Sequence, residues 1–260
     1  MPILIGTSGF SYVEWKGPFY PDDMPPRAFL EYYAKEFNVV EVNSTYYRIP
    51  AQKVMLGMAA RTPPGFTFVV KAHQDLTHHW GEAAERTLPL FKRALEPMRD
   101  AGKLGAVLLQ FPYSFQPSPE AAAYVERLAG AITEAPPVVE FRHQAWFEPE
   151  RLEWLRGLKL SLCCVDEPRL PNLPPPVALV TGPVGYVRFH GRNKESWWGG
   201  EEGRGAGARY NYLYSDEELK EWVPRLAAMA SETSAIFAFF NNHPEGKAVR
   251  NARDFRGLVG

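Results

Sequence analysis

The chain reads as an α/β protein, one TIM-type (β/α)8 barrel spanning residues 1–260. Three observations lead there. Eight short apolar runs recur along the chain, rich in β-branched and aromatic residues, as expected of parallel strands buried on both faces. Helical patterns lie between most of them. Eight alternations in about 250 residues match this barrel. A doubly wound open sheet is the alternative, but it lacks support from a Gly-rich dinucleotide turn. GRGAGA (203–208) has the wrong spacing and does not directly follow a strand.

The runs are ILIGT (3–7), VVEV (39–42), FTFVVKA (66–72), GAVLLQF (105–111), PVVEF (137–141), LSLCCV (160–165), GYVRFH (185–190) and AIFAFF (235–240). RAFLEYYAKE (27–36) places apolar residues at helical spacing, and 52–61 and 88–101 read similarly. Ser118-Pro119-Glu120 supplies an N-cap, a proline at the first helical position and an acid in the first turn. Phe147-Glu148-Pro149 opens a helix from 150 to 157, and Ser215 to Glu218 form a capping box. Pro224 should kink or split the helix that follows. A last helix runs near 245–255. Proline-rich 166–184 reads as a loop.

Composition excludes some functions. The chain is 45% hydrophobic and 23% charged with a net charge of −1, so no overall basic field favours nucleic acid or an anionic membrane. No apolar stretch reaches membrane-spanning length. MPILIGTSGF has neither a charged n-region nor a long apolar h-region, so no signal peptide and a cytoplasmic location are expected. Cys163 and Cys164 are adjacent in a strand, so one should face inward and one outward.

Charge sits where a buried strand should be most apolar. VEVN (40–43), VKAH (70–73), VEFR (139–142) and VRFH (187–190) share one order: apolar, charged, apolar, polar. Residues i and i+2 share a strand face. A charge under the helix ring would be dry and unpaired, so the charged face should be the barrel interior. Glu41, Lys71, Glu140 and Arg188 then point inward. Asn43, His73, Arg142 and His190 sit one pleat nearer the C-terminal mouth, where barrel active sites are built.

These residues suggest acid/base chemistry. Glu140 has Gln110 and possible inward-facing Asp166 as neighbours, and burial or a second carboxylate should raise its pKa. Glu140, Glu41, His190 and Lys71 are the candidate catalytic groups. Arg142, Arg188, His73, Asn43, Arg192, Asn241 and Gln110 are candidate substrate ligands. The cations outnumber the acids, so a small phosphate- or carboxylate-bearing partner is expected. The residues do not define a cofactor or an oligomeric state.

Two other functions fit the same residues. A metal-dependent barrel similar to endonuclease IV or xylose isomerase would use Glu140, Asp166, His190 and Glu41 on nucleic acid or sugar, although Lys71 and Arg188 would oppose a cation. A non-catalytic module would stack nucleotide or RNA on aromatics. His73, His78 and His79 lack clean zinc spacing, so no metal ligands are assigned. The stretch 191–215 carries Gly199, Gly200, Gly203, Gly205 and Gly207 with Trp197, Trp198, Tyr210, Tyr212 and Tyr214, and reads as a lid or a surface loop. Tyr12, Trp15 and Lys16 are placed to rim the mouth.

IGTSGFSYVEWKGPFYP, VVEVNSTYYRIP, FTFVVKAHQDLTH, LLQFPYSF, VEFRHQAWF, VRFHGRN, YNYLYS and FFNNHPEGKAVRNA occur in this order. In them the chain resembles the YecE-like family, known as domain of unknown function 72, over nearly its whole length. The resemblance implies a TIM barrel and brings no activity with it. Its motifs fall on Glu41, Asn43, Lys71, His73, Glu140, Arg142, His143, Arg188, His190, Arg192, Asn241 and Asn242. The glycine stretch 199–207 departs from the family's shorter loop. Phe10 stands where the family often has tryptophan.

Overall fold

Alternating apolar runs and helical segments close on themselves. A computed structural model describes residues 2–199 and 207–260. The strands are β1 (Ile3–Ser8), β2 (Val39–Val42), β3 (Thr67–Lys71), β4 (Leu104–Gln110), β5 (Pro137–Glu140), β6 (Ser161–Asp166), β7 (Gly185–Phe189) and β8 (Ile236–Phe240). They pair in parallel in chain order, and β8 returns to β1. This is the (β/α)8 barrel expected from the sequence.

The strand faces separate cleanly. Val39, Val69, Leu108, Val138, Val165, Tyr186, Phe237 and Phe239 fill the lower interior. Val40, Val70, Leu109, Val139, Phe141, Val187, Phe189 and Phe240 point outward into the layer beneath the helices. Cys163 belongs to the interior and Cys164 to the outer layer, as the alternation requires. The charged residues of β2, β3, β5 and β7 therefore continue the inner face upward.

Helices confirm the local signals, with adjusted ends. The first helical segment begins with a 3₁₀ turn at Pro26–Ala28, and its α-helix runs Phe29–Glu36. The helix expected from residue 88 starts earlier, at Glu82, and carries Pro89 within it. Ser118 Oγ accepts from Ala121 N at 3.1 Å, and the Ser215–Glu218 capping box is complete. Pro224 splits its helix as predicted: one piece ends at Lys220 and the next spans Val223–Ala230. Pro224 lies in the new first turn, where its missing N–H costs no hydrogen bond. Residues 167–184 contain no helix. Among the described residues no helix is long and apolar enough to cross a membrane.

Candidate functional site

Arg188, on β7, anchors the site. It is only 2% exposed and reaches across the barrel interior. Nη1 donates to Glu140 Oε2 at 2.8 Å and Nη2 to Glu41 Oε1 at 2.7 Å. Glu41 Oε2 also accepts from the Tyr186 hydroxyl at 2.6 Å. Glu140 Oε1 lies 2.5 Å from Arg142 Nε and 3.3 Å from His190 Nε2. The two acids are thus enclosed by partners, as a buried carboxylate requires.

The expected pKa rise at Glu140 is reversed. Burial pushes it up, but Arg142, Arg188 and His190 outweigh burial and hold it well below the usual carboxylate range. His190 is driven down to about 3, chiefly by burial and then by Arg142. Its Nδ1 lies 3.1 Å from Asn241 Nδ2, a donor, so the ring proton belongs on Nε2, facing Glu140.

Above this layer lies a cavity of about 450 Å³ at the C-terminal mouth. Lys71, Gln110, Arg142, Arg188, Asn43 and Asn241 line it, along with Tyr12, Tyr46, Tyr47 and Tyr210. Glu41, Glu140 and His190 do not line it. Lys71 Nζ donates to Gln110 Oε1 at 2.7 Å and sits 4.2 Å from the Tyr46 ring centroid. Burial, then Arg188, lowers Lys71 to about 7. Asn43 Oδ1 and Arg188 Nε are buried without a hydrogen-bond partner among the described protein atoms.

Two expected ligands, His73 and Arg192, and the family-motif residue His143 lie elsewhere. His73 caps the short helix Gln74–Thr77, its Nδ1 accepting from Asp75 N at 3.2 Å, and it does not line the cavity. His143 does the same for Gln144–Phe147. Arg192 leaves the mouth to clasp Asp166, with Nε and Nη2 at 2.8 and 2.7 Å from its two oxygens. An inward-facing Asp166 is one option in the sequence; its register puts it on the outer face. There Tyr214 and Trp222 also donate to it, at 2.9 and 2.7 Å. A charge under the helix ring is tolerable here because it is paired, the condition that the inward assignment overlooked.

The shift at β6 exposes a residue the sequence reading missed. With Val165 inward and Asp166 outward, Glu167 points inward again, and Arg142 Nη1 lies 3.3 Å from its Oε2. Burial raises Glu167 to about 8 despite Arg142. The clue was present: Glu167 is two residues beyond Val165, in phase with the inner face. Tyr46 and Tyr186 gave no sequence signal beyond being aromatic.

The metal donor set does not assemble: Asp166 faces away, and arginines occupy the carboxylates of Glu140 and Glu41. Among the described residues no cluster of three His, Cys, Asp or Glu has a metal-holding arrangement. In the loop after β7, Trp197 and Tyr214 are buried, Tyr210 lines the cavity and Trp198 is exposed. Gly200, Gly203 and Gly205, central to the lid expectation, lie outside the described residues. Of the expected rim, Tyr12 lines the cavity, Trp15 is buried, and Lys16 instead bonds Asp22 O.

Fold and site define a (β/α)8 barrel with a polar cavity at its C-terminal mouth. The family described as "Protein of unknown function DUF72" matches residues 4–260. The chain belongs to this family. It is 31% identical to UPF0759 protein YunF of Bacillus subtilis (strain 168), over 99% of this chain and 94% of that protein. UPF0759 protein YecE of Escherichia coli (strain K12) is 30% identical over 45% of this chain and 43% of its own. A crystal structure of a DUF72 family protein from Thermotoga maritima MSB8 superposes with TM-score 0.90 at 37% identity, covering 100% of this chain and 99% of that one. One from Enterococcus faecalis V583 gives 0.87 at 27%, covering 99% and 95%.

Proposed function

We propose that this protein is an enzyme acting on a small phosphate- or carboxylate-bearing molecule in the mouth cavity. One observation carries the reading. Lys71, Arg142 and Arg188 line the cavity while Glu41 and Glu140 lie beneath it. A ligand entering the mouth meets cations whose counter-charges it cannot reach. Buried, partner-fixed guanidinium groups are suited to oxyanions because they are preorganised and lightly hydrated.

Roles follow from access. Arg142 and Arg188 hold the anion, and Asn43, Gln110 and Asn241 orient the rest of the molecule. Lys71, near neutrality, exchanges the proton. Glu140 and Glu41, shut off from the cavity, hold the arginines in place instead of carrying protons. His190 supports Glu140 from behind.

The test is a thermal-shift series at constant ionic strength with inorganic phosphate, pyrophosphate and citrate. A ligand at about 100 times its Kd contributes about 2.7 kcal/mol, enough for several degrees. Arg142→Ala should abolish the shift while remaining folded. No shift with any of the three anions removes the reading. Tyr47, 74% exposed on the cavity wall, supports a second reading, non-catalytic stacking of a nucleotide or RNA. A short RNA oligonucleotide in the same series tests it.

A further inference from the structure

Lys71 differs from Lys103, the partly buried lysine with the most hydrogen-bonded amine among the described residues. Lys103 Nζ spends its hydrogens on Ala59 O, Thr62 O and Thr62 Oγ1, a structural clasp. Lys71 ends β3 with its amine in the cavity and makes no carboxylate ion pair among the described residues. Its acceptor is the neutral amide oxygen of Gln110, itself fixed by donating to Phe111 O at 2.8 Å. The Tyr46 ring covers one side. An amine held in a fixed direction, desolvated and flanked by cations, is a nucleophile.

We propose that Lys71 forms a covalent imine with a small carbonyl compound, an oxo acid or a phosphorylated aldehyde or ketone, whose anionic group Arg142 and Arg188 hold. The inference rests on the anion reading above, names its substrate class, and makes the Lys71 amine the nucleophile in place of the proton carrier. The amine lone pair attacks the carbonyl carbon, a C–N bond forms, and the carbonyl electron pair moves to oxygen. A proton passes from nitrogen to that oxygen, giving a carbinolamine. A second proton, taken from solvent, lets the C–O bond break with loss of water and leaves a protonated imine. The balance is amine, carbonyl and one proton giving iminium and water, and hydrolysis reverses it.

Electrostatics agree with the geometry. The groups facing Lys71 are Glu41 from β2, Tyr46 after it, His78 after β3, Gln110 from β4, Glu140 from β5 with Arg142 just beyond its end, and Arg188 from β7. Burial and the arginines prevail over the glutamates, bringing the amine to about 7. At pH 7 about half the molecules then carry a neutral amine, against fewer than roughly one in a thousand for an exposed lysine.

The full-length protein is incubated separately with pyruvate, dihydroxyacetone phosphate and acetone, each with sodium borohydride, then digested for peptide mass spectrometry. The reduced secondary-amine adduct should appear on the Lys71 peptide with the two anionic compounds, at least about tenfold above acetone, since tenfold needs only about 1.4 kcal/mol of anion recognition. Labelling at Lys71 should level off above about pH 8 while exposed lysines keep gaining. Lys71→Arg keeps the charge and should lose the adduct; if it does not fold, site assignment in the wild-type protein decides. An adduct at Lys71 no greater than on exposed lysines, or none, overturns the imine. Calorimetry with lactate, anionic but without a ketone or aldehyde group, separates the two ideas. Lactate binding without an adduct overturns the imine alone. Neither lactate binding nor adduct overturns the anion reading as well.

Discussion

Burial pushes both Glu167 and Lys71 towards their neutral forms, and their pH signatures run in opposite directions. Glu167 lies near 8 when folded against about 4.3 when unfolded. Between those values the unfolded chain has released a proton that the folded chain keeps, so this group lowers stability as pH rises from about 4 to 8. Glu167→Gln removes that loss. Its melting temperature should exceed wild type at pH 8 by an amount worth on the order of a few kcal/mol and match it near pH 4. Lys71 lies near 7 when folded against about 10.4 unfolded, so its penalty is complete below 7 and fades towards 10.4. Lys71→Met should raise the melting temperature at pH 6 and lose the advantage by about pH 10.

At the scale of elements, strand spacing and phase decide what is possible. β1 and β2 approach so closely at Gly6 that a Cβ there would lie 2.3 Å from Val39 O and 3.0 Å from the Tyr33 hydroxyl. That hydroxyl accepts from Thr7 N at 2.9 Å and donates to Val39 O at 3.1 Å, tying helix Phe29–Glu36 to both strands. Gly6→Ala should cost about 1–3 kcal/mol, or more if the hydroxyl is displaced, read as a lower urea midpoint. Phase explains the error at β6. An apolar run such as LSLCCV has no polar alternation to fix which face is inward, so Asp166 and Glu167 exchange roles with a one-residue shift. In VEFR and VRFH the alternating charge fixed the phase, and those residues point as expected.

Across the molecule, the interior charges join strands distant in sequence. Glu41, Glu140 and Arg188 span 147 residues of chain and meet within hydrogen-bonding distance. Glu140, held far below its unfolded value, contributes stability that is present above about pH 4.3 and lost as pH falls through its folded pKa. Glu140→Gln removes the carboxylate that Arg142 and Arg188 share, leaving Arg188 with Glu41 and Arg142 with Glu167 alone. It should lower stability at pH 7 by about 3–5 kcal/mol, with a shallower decline in acid than wild type, measured by denaturant titration at each pH.

Local chemistry and periodicity determined the eight strands, the caps at Ser118 and Ser215, the split at Pro224 and the end of the barrel carrying polar residues. Each depends on neighbours within a few positions, which a sequence displays. Access was decided only by tertiary structure. Glu140, Arg142 and His190 share one strand pattern, yet Arg142 lines the cavity, while Glu140 and His190 are sealed beneath it. Arg192 turns outward to Asp166, and His73 is drawn into a helix cap. Pairing between groups remote in sequence set these positions, because a buried charge goes where its partner is, and partner distance has no local signature.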